Sequence, residues 1–319
     1  MRLRDLFTWK TYFYEGLLPA LRRLGPGKAD AALGALGRLA AVWPPKRRAL
    51  AAALARARTA LGAEWDERAA VPALAAGSLR FVARDYLLDT PDDAAALARF
   101  DVSGGECIDE ALAAGRGLIL VGGHFGGHLA ALLWFYRRAL PLRVMVQRPK
   151  HVSKALGAFF DVEGPDPQSA YFLRRGLGPA DCVARMLRVR SAVRSGKPVY
   201  FAGDIPWTGP NTRAGRLLCQ PHRFLSVWAD LSSLTGAPVV FTFCTHKPGG
   251  KFGLRFEPLG VVARGEEDAA VGRFLGRLEA AVAASPGEAA AHLLWPCYGP
   301  PARAAEAAVR PSRRAAVAS

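Results

Sequence analysis

The chain has 319 residues, and its 43 Lys and Arg against 27 Asp and Glu give a formal net charge of +16. The composition, 51% hydrophobic and 22% charged, is typical of a folded protein and excludes a disordered or collagen-like chain. Five dispersed cysteines without a CxxC pair predict neither a zinc site nor a disulfide framework, and they favour a reducing compartment. Charges interrupt the N-terminal segment, so we expect no cleavable signal and no secretion.

The first 100 residues are predicted to form a helical, membrane-associating region. Apolar residues recur at helical spacing over the first 24 residues, with aromatic and basic residues between them. This pattern is typical of a helix at a membrane interface, and equally of a helix packed on the rest of its own protein. Further helices are predicted over 29–42, 46–62 and 66–87.

From about Phe100 the pattern changes to alternating strands and helices. Apolar runs predict four buried strands, at 117–122, 142–147, 198–202 and 237–244, and period-two alternation predicts an edge strand at 252–257. Helical patterns follow at 126–138, 151–160, 181–195, 224–235 and 267–284. The alternation predicts an α/β domain over 101–300, with a mixed, mostly parallel sheet flanked by helices. A disordered basic tail is expected over 301–319.

The longest uncharged run, residues 117–136, is nominally long enough to span a bilayer. Four glycines and two histidines interrupt it, so a strand, a turn and a helix fit it better than a membrane span. We therefore predict a protein that does not cross the membrane.

The most informative part of that run places His124 directly after a predicted buried strand, in a glycine-rich turn that opens a helix. Ligands of open α/β sheets bind at this edge, and a histidine there can act as a general base at neutral pH. Backbone N–H groups near Gly126 and Gly127 are candidates to stabilise an oxyanion. A purely structural histidine is the alternative. His124 and His128 are four residues apart, which is the spacing of two metal-binding histidines on a helix. The Glu that follows the first histidine of an HExxH motif is absent, so the pattern predicts no metal site.

Half of the net charge is concentrated in one stretch. Between Tyr171 and Arg223 there are ten Lys or Arg and two acids, a net charge of +8. Such a field favours a polyanion, whether nucleic acid, an anionic membrane, a phosphorylated glycolipid or an acidic carrier protein. Solvated helix faces are the alternative explanation. No zinc-finger spacing, RNP signature or basic-leucine heptad accompanies the charge, so we do not predict nucleic acid binding.

Five blocks of sequence, in order, resemble the late acyltransferases of lipid A biosynthesis, within the wider glycerolipid acyltransferase superfamily. The blocks are Val121-Gly-Gly-His-Phe-Gly-Gly-His128, Met145-Val-Gln-Arg-Pro149, the segment from Arg194 to Asp204, the segment from Leu218 to Val240, and the segment from Pro286 to Trp295. The resemblance covers about residues 115–297.

The resemblance implies transfer of a fatty acyl group from an acyl-carrier or coenzyme A thioester to a hydroxyl of a lipid A-like glycolipid or lysophospholipid. It implies a peripheral or monotopic protein on the cytoplasmic face of the bacterial inner membrane, with no metal or redox cofactor. His124 would be the base. The candidate phosphate-binding residues are Arg148, Arg174, Arg175 and Arg223.

One position departs from the family pattern. Five residues after the histidine the family has an acid that orients the imidazole, and this chain has Leu129. Three explanations are open. Another carboxylate, with Asp204 the first candidate, reaches the His124 ring; or His128 takes over part of the role; or the protein has lost catalysis and retains lipid or carrier binding.

Overall fold

The computed structural model describes residues 12–83, 85–173, 178–207, 211–289 and 293–298. The N-terminal region begins with a π-helical turn over Tyr12–Leu17. Four helices follow it: α1 (Leu18–Arg22), α2 (Pro26–Ala40), α3 (Pro44–Leu61) and α4 (Glu67–Ala83). Prolines at the first positions of α2 and α3 suit helix starts, because their missing N–H would have no intrahelical partner there. The three helices predicted over 29–87 are confirmed, with ends shifted by up to four residues.

In the described residues, the α/β part contains eight strands and eight further α-helices. The strands are β1 (Phe100–Ser103), β2 (Leu118–Gly122), β3 (Arg143–Met145), β4 (Pro198–Ala202), β5 (Thr212–Leu217), β6 (Gln220–Leu225), β7 (Val239–Lys247) and β8 (Lys251–Gly260). The helices are α5 (Asp93–Leu97), α6 (Glu106–Ala113), α7 (His128–Arg137), α8 (Lys154–Phe160), α9 (Pro179–Arg194), α10 (Val227–Thr235), α11 (Glu267–Ala284) and α12 (Trp295–Tyr298). The uncharged run 117–136 therefore forms strand β2, a turn and most of α7.

Six strands form one mixed sheet in the order β1-β8-β7-β2-β4-β3. The neighbours β7, β2, β4 and β3 are parallel, and β8 is antiparallel to β7. β2 and β4 lie inside this sheet, and every residue of both strands is buried, which explains their continuous apolar sequences. The predicted fold class is confirmed: a mostly parallel α/β sheet flanked by helices, with an N-terminal helical region.

The position predicted for the strand at 252–257 is wrong. β8 is an internal strand, because β1 pairs with its other side in parallel register, from Phe100 opposite Phe252 to Ser103 opposite Arg255. β1 has one buried residue and three exposed ones, so it lacks the apolar pattern that reveals a buried strand. β5 and β6 form a separate antiparallel hairpin that the sequence patterns do not predict.

The N-terminal helices share an apolar core with one face of the sheet. Leu54 of α3 and Leu74 of α4 belong to the same buried cluster as Ile119 of β2 and Phe201 of β4. The indole Nε1 of Trp65, between α3 and α4, donates a hydrogen bond to the Ala283 carbonyl of α11 at 2.8 Å. Physically, these helices form part of the fold's main core.

Among the helices of the described residues, none combines the length and the apolar character that crossing a bilayer requires. The periodicity of residues 1–11, the arginines Arg174 and Arg175 and the predicted tail over 301–319 lie outside the described residues.

Candidate active site

Parallel pairing of β2 with β4 brings His124 and Asp204 together. Gly122 at the end of β2 is in register with Ala202 at the end of β4. Each strand is followed by one glycine and then by the functional residue, so the two side chains leave the sheet at the same edge. The N–H of Gly203 donates to the Gly122 carbonyl at 2.8 Å and extends the pairing beyond the strands.

Asp204 binds the His124 residue at two points. Its Oδ1 lies 3.0 Å from Nδ1 of the imidazole, and its Oδ2 accepts a hydrogen bond from the His124 backbone N–H at 2.7 Å. The Asp204 side chain is 2% exposed, whereas the His124 side chain is 31% exposed. The carboxylate is therefore buried behind the imidazole, and the imidazole reaches solvent.

The environment keeps Asp204 ionised. Burial is the largest influence on the pKa of Asp204 and raises it, but the His124 imidazole and the hydrogen bonds to the carboxylate together outweigh burial. The net pKa lies below the ordinary value for an aspartate. An ionised Asp204 that accepts a hydrogen bond from Nδ1–H fixes the tautomer in which Nε2 is the basic nitrogen.

The turn after His124 is held by backbone hydrogen bonds that the sequence patterns do not predict. The N–H of Gly126 donates to the Glu288 carbonyl at 2.9 Å, and the N–H of Gly127 donates to the Cys244 carbonyl at 2.8 Å. Both N–H groups predicted to stabilise an oxyanion thus donate to carbonyl oxygens in this structure, and an oxyanion would compete with the Glu288 and Cys244 carbonyls for them. Gly126 has a φ of +52°, and a Cβ there would lie 2.2 Å from the Cys244 oxygen.

A second histidine–carboxylate pair lies behind this turn. Oε2 of Glu288 is 2.8 Å from Nδ1 of His246 and accepts the His246 backbone N–H at 3.1 Å. The His246 side chain is only 3% exposed. Burial raises the pKa of the neighbouring Cys244 thiol well above its ordinary value, so this cysteine is not a thiolate nucleophile. No spacing motif could have revealed the pair, since its partners are 42 residues apart.

His128 and Leu129 lie at the start of α7 in different surroundings. The His128 ring is 4.9 Å from the His124 ring and 5.0 Å from the ring of Phe81 on α4, measured between centroids. Leu129 is 3% exposed. It belongs to the apolar cluster on one face of the sheet, whereas Phe125 belongs to the cluster on the other face. Of the three explanations for the missing acid, the structure supplies the first geometrically, because Asp204 contacts the His124 ring.

Two of the four predicted phosphate-binding arginines, Arg148 and Arg223, lie in the described residues, and each has other partners. Arg148, three residues after β3, forms a two-pronged ion pair with Asp161, with nitrogen–oxygen distances of 2.6 and 2.8 Å. Arg223 on β6 donates to the side chain and carbonyl of Thr212 on β5. The backbone carbonyl of Arg223 also accepts the Trp207 N–H, which ties β6 to the segment after Asp204.

Two cations of the basic stretch 171–223 are held in ion pairs. Arg213 is paired with Asp230 and Asp268, and Lys197 is paired with Asp166. Within the described part of the chain, no three His, Cys, Asp or Glu side chains are grouped so as to hold a metal ion.

No protein-family model matches this chain, and a search of curated proteins finds no match.

Proposed function

We propose that the protein is an O-acyltransferase in which His124 is the general base and Asp204 orients it. One observation carries the proposal: the 3.0 Å contact between Asp204 Oδ1 and His124 Nδ1 at the carboxyl edge of the parallel strands. A buried carboxylate behind a solvent-reaching imidazole is the arrangement that general-base catalysis requires. This contact supplies the acid that is missing at Leu129.

The reaction follows from the tautomer that Asp204 stabilises. Nε2 of His124 takes the proton of an acceptor hydroxyl as the hydroxyl oxygen attacks the thioester carbonyl. The ionised Asp204 stabilises the imidazolium that forms. The tetrahedral intermediate collapses with loss of the thiolate, which takes the proton back from Nε2. The products are an ester and a free thiol, and the enzyme returns to its starting protonation state.

The cleft beside Phe125 has both apolar walls and charged ones, the latter from Asp101, Lys247 and Arg255. Phe125, the residue after His124, forms part of the wall of a cleft of about 390 Å³. Other apolar walls of this cleft come from Phe243, Leu254 and Ala281. A fatty acyl chain gains free energy in proportion to the apolar area it buries, at about 25 cal/mol per Å². The cleft is our proposed location for the chain of the donor.

The substrate classes are those that the resemblance implies. We propose an acyl-carrier protein or coenzyme A thioester as donor, a lipid A-like glycolipid or lysophospholipid as acceptor, and a peripheral position at the cytoplasmic face of the inner membrane. The net charge of +16 favours all of these anionic partners. The second candidate, a degenerate lipid- or carrier-binding homologue, is favoured by one observation only, the leucine at position 129.

A product assay with matched variants tests the proposal. Purified protein is incubated with acyl-carrier and acyl-coenzyme A donors and with each acceptor class, and products are detected by mass spectrometry as a gain of one acyl mass. We expect His124→Ala to abolish product and Asp204→Asn to lower the rate by about 10⁴-fold, as for the orienting aspartate of a serine protease. Asp109→Asn is the control, because Asp109 on α6 forms an exposed ion pair with Arg138, the residue that follows α7.

Two outcomes would contradict the proposal. If Asp204→Asn formed product at the wild-type rate, the proposed orienting role of the Asp204 carboxylate would be wrong. A wild-type protein that binds donor or acceptor without any mass gain would establish the degenerate homologue instead. Circular dichroism and an unfolding midpoint for each variant separate these outcomes from misfolding.

A further inference from the structure

The end of α2 and the start of α3 expose an unusual run of apolar side chains. Leu39 is 68% exposed, Val42 69% and Trp43 67%, and Leu36 one turn earlier on α2 is 38% exposed. We call residues 36–48 the α2–α3 corner. Single exposed leucines are ordinary on protein surfaces, but neighbouring ones that include a tryptophan indicate an interaction site.

The packing of α2 explains why these side chains cannot join the core. The helix contacts α4 through Leu33, Gly34 and Gly37, and a Cβ at Gly37 would lie 2.4 Å from the Cα of Ala76. This close approach uses the face of α2 that carries small residues. Leu36 and Leu39 lie on the other side of the helix and stay in solvent.

Basic residues flank the apolar ones. Arg38, Lys46, Arg47 and Arg48 are all exposed, and none of the four has a carboxylate within ion-pair distance in the described residues. Three of them follow directly on the start of α3, whose first turn contains no acid. The positive end of a helix dipole disfavours cations there. The positive charges of Lys46, Arg47 and Arg48 therefore destabilise the isolated protein. An external anion bound at this helix end would compensate them.

We propose that the α2–α3 corner binds an anionic membrane surface, with Leu39, Val42 and Trp43 inserted at the interface and the four cations on lipid phosphates. The chemistry of the patch selects this occupant. Tryptophan favours the interface between water and hydrocarbon, and clustered Lys and Arg favour anionic head groups. The surface is distinct from the first 25 residues, whose sequence pattern fits either an interfacial helix or a helix packed on its own protein. The inference does not depend on acyl transfer, because binding to a bilayer requires no donor.

Vesicle sedimentation tests the assignment directly. The full chain is mixed with vesicles of phosphatidylcholine and phosphatidylglycerol, and separately with vesicles of phosphatidylcholine alone. We expect binding to the anionic vesicles, and weaker binding as salt is raised. Lys46→Gln, Arg47→Gln and Arg48→Gln combined should weaken it by about 100-fold, since each cation near an anionic bilayer contributes about fivefold. Leu39→Ser, Val42→Ser and Trp43→Ser combined should also lower it by more than tenfold.

The control replaces exposed apolar residues elsewhere. Leu234 is 62% exposed and Val261 47% exposed, so Leu234→Ser with Val261→Ser removes similar surface from outside the corner and should leave vesicle binding unchanged. The assignment would be overturned if wild-type protein did not bind anionic vesicles, or if the corner variants bound them as tightly as wild type. In the first case, a protein partner becomes the alternative occupant of the corner. Acyl transfer to a detergent-dispersed acceptor, measured in parallel, reports on the proposed function separately.

Discussion

His124 and Asp204 are 80 residues apart in the chain, and they meet because β2 and β4 are neighbours in register. A carboxylate that follows a buried strand reaches the imidazole without entering the core. Position 129 offers no such route in this fold, since Leu129 is 3% exposed among apolar side chains. An acid there would be buried without an ionic partner, so Leu129 is consistent with a site whose acid comes from β4.

Placing an acid at position 129, as in the acyltransferases that the sequence resembles, should therefore damage this protein. We expect Leu129→Glu to lower the free energy of unfolding by about 3 kcal/mol, because it buries an unpaired carboxylate, and we expect no gain in activity. Leu129→Met conserves volume and should cost less than about 1.5 kcal/mol. Urea unfolding with a parallel activity assay measures both. A stable, more active Leu129→Glu would show that position 129 faces the site and that our account of the missing acid is wrong.

At the scale of the element, the turn over residues 123–127 is positioned by its packing against β7 and Glu288. A glycine is needed at position 126 because the carbonyl of Cys244 and the carboxylate of Glu288 lie where a side chain would begin. His124 is thus carried on a turn that other elements hold in place. This explains why the glycines are there although their N–H groups are occupied.

A pair of glycine substitutions tests this positioning. Gly126→Ala puts a Cβ 2.2 Å from a backbone oxygen at a φ of +52°, so we expect a loss of about 2 kcal/mol or more in stability and a large drop in acyl transfer. Gly157→Ala lies in helix α8, where the nearest atom is 3.9 Å away. It should be neutral or stabilising by up to about 1 kcal/mol. Equal effects of the two substitutions in thermal unfolding and in the product assay would refute the positioning role.

Elements with strong apolar patterns were predictable from the sequence, and those determined by pairing were not. The helix predicted over 267–284 has those bounds in the structure, because its apolar face has a clear period. The hairpin β5–β6 turns at Leu218 and Cys219, with φ values of 51° and 61° and no glycine or asparagine to signal the turn. The contact of Asp204 with His124 was predictable as one of three alternatives. The His246–Glu288 pair was not, because only tertiary structure joins its partners.

At the scale of the whole molecule, the helical and α/β parts are linked by one core. Leu50 and Leu54 of α3 and Val71 of α4 belong to the buried cluster that contains β2, β4 and α11. Arg56 of α3 donates to the Cys297 carbonyl of α12 at 2.9 Å. Helices that cover the sheet in this way should stabilise it directly.

Hydrogen exchange can measure this coupling. Leu54→Ala removes a side chain that is 1% exposed and should lower the global free energy of unfolding by about 2–5 kcal/mol. If the core is cooperative, amides of β2 and β4 lose protection together with those of α3. Leu39→Ala removes the same atoms from a position that is 68% exposed and should leave both unchanged. Faster exchange in α3 alone would mean that the helical region unfolds by itself, as a separate domain ending near residue 100 would.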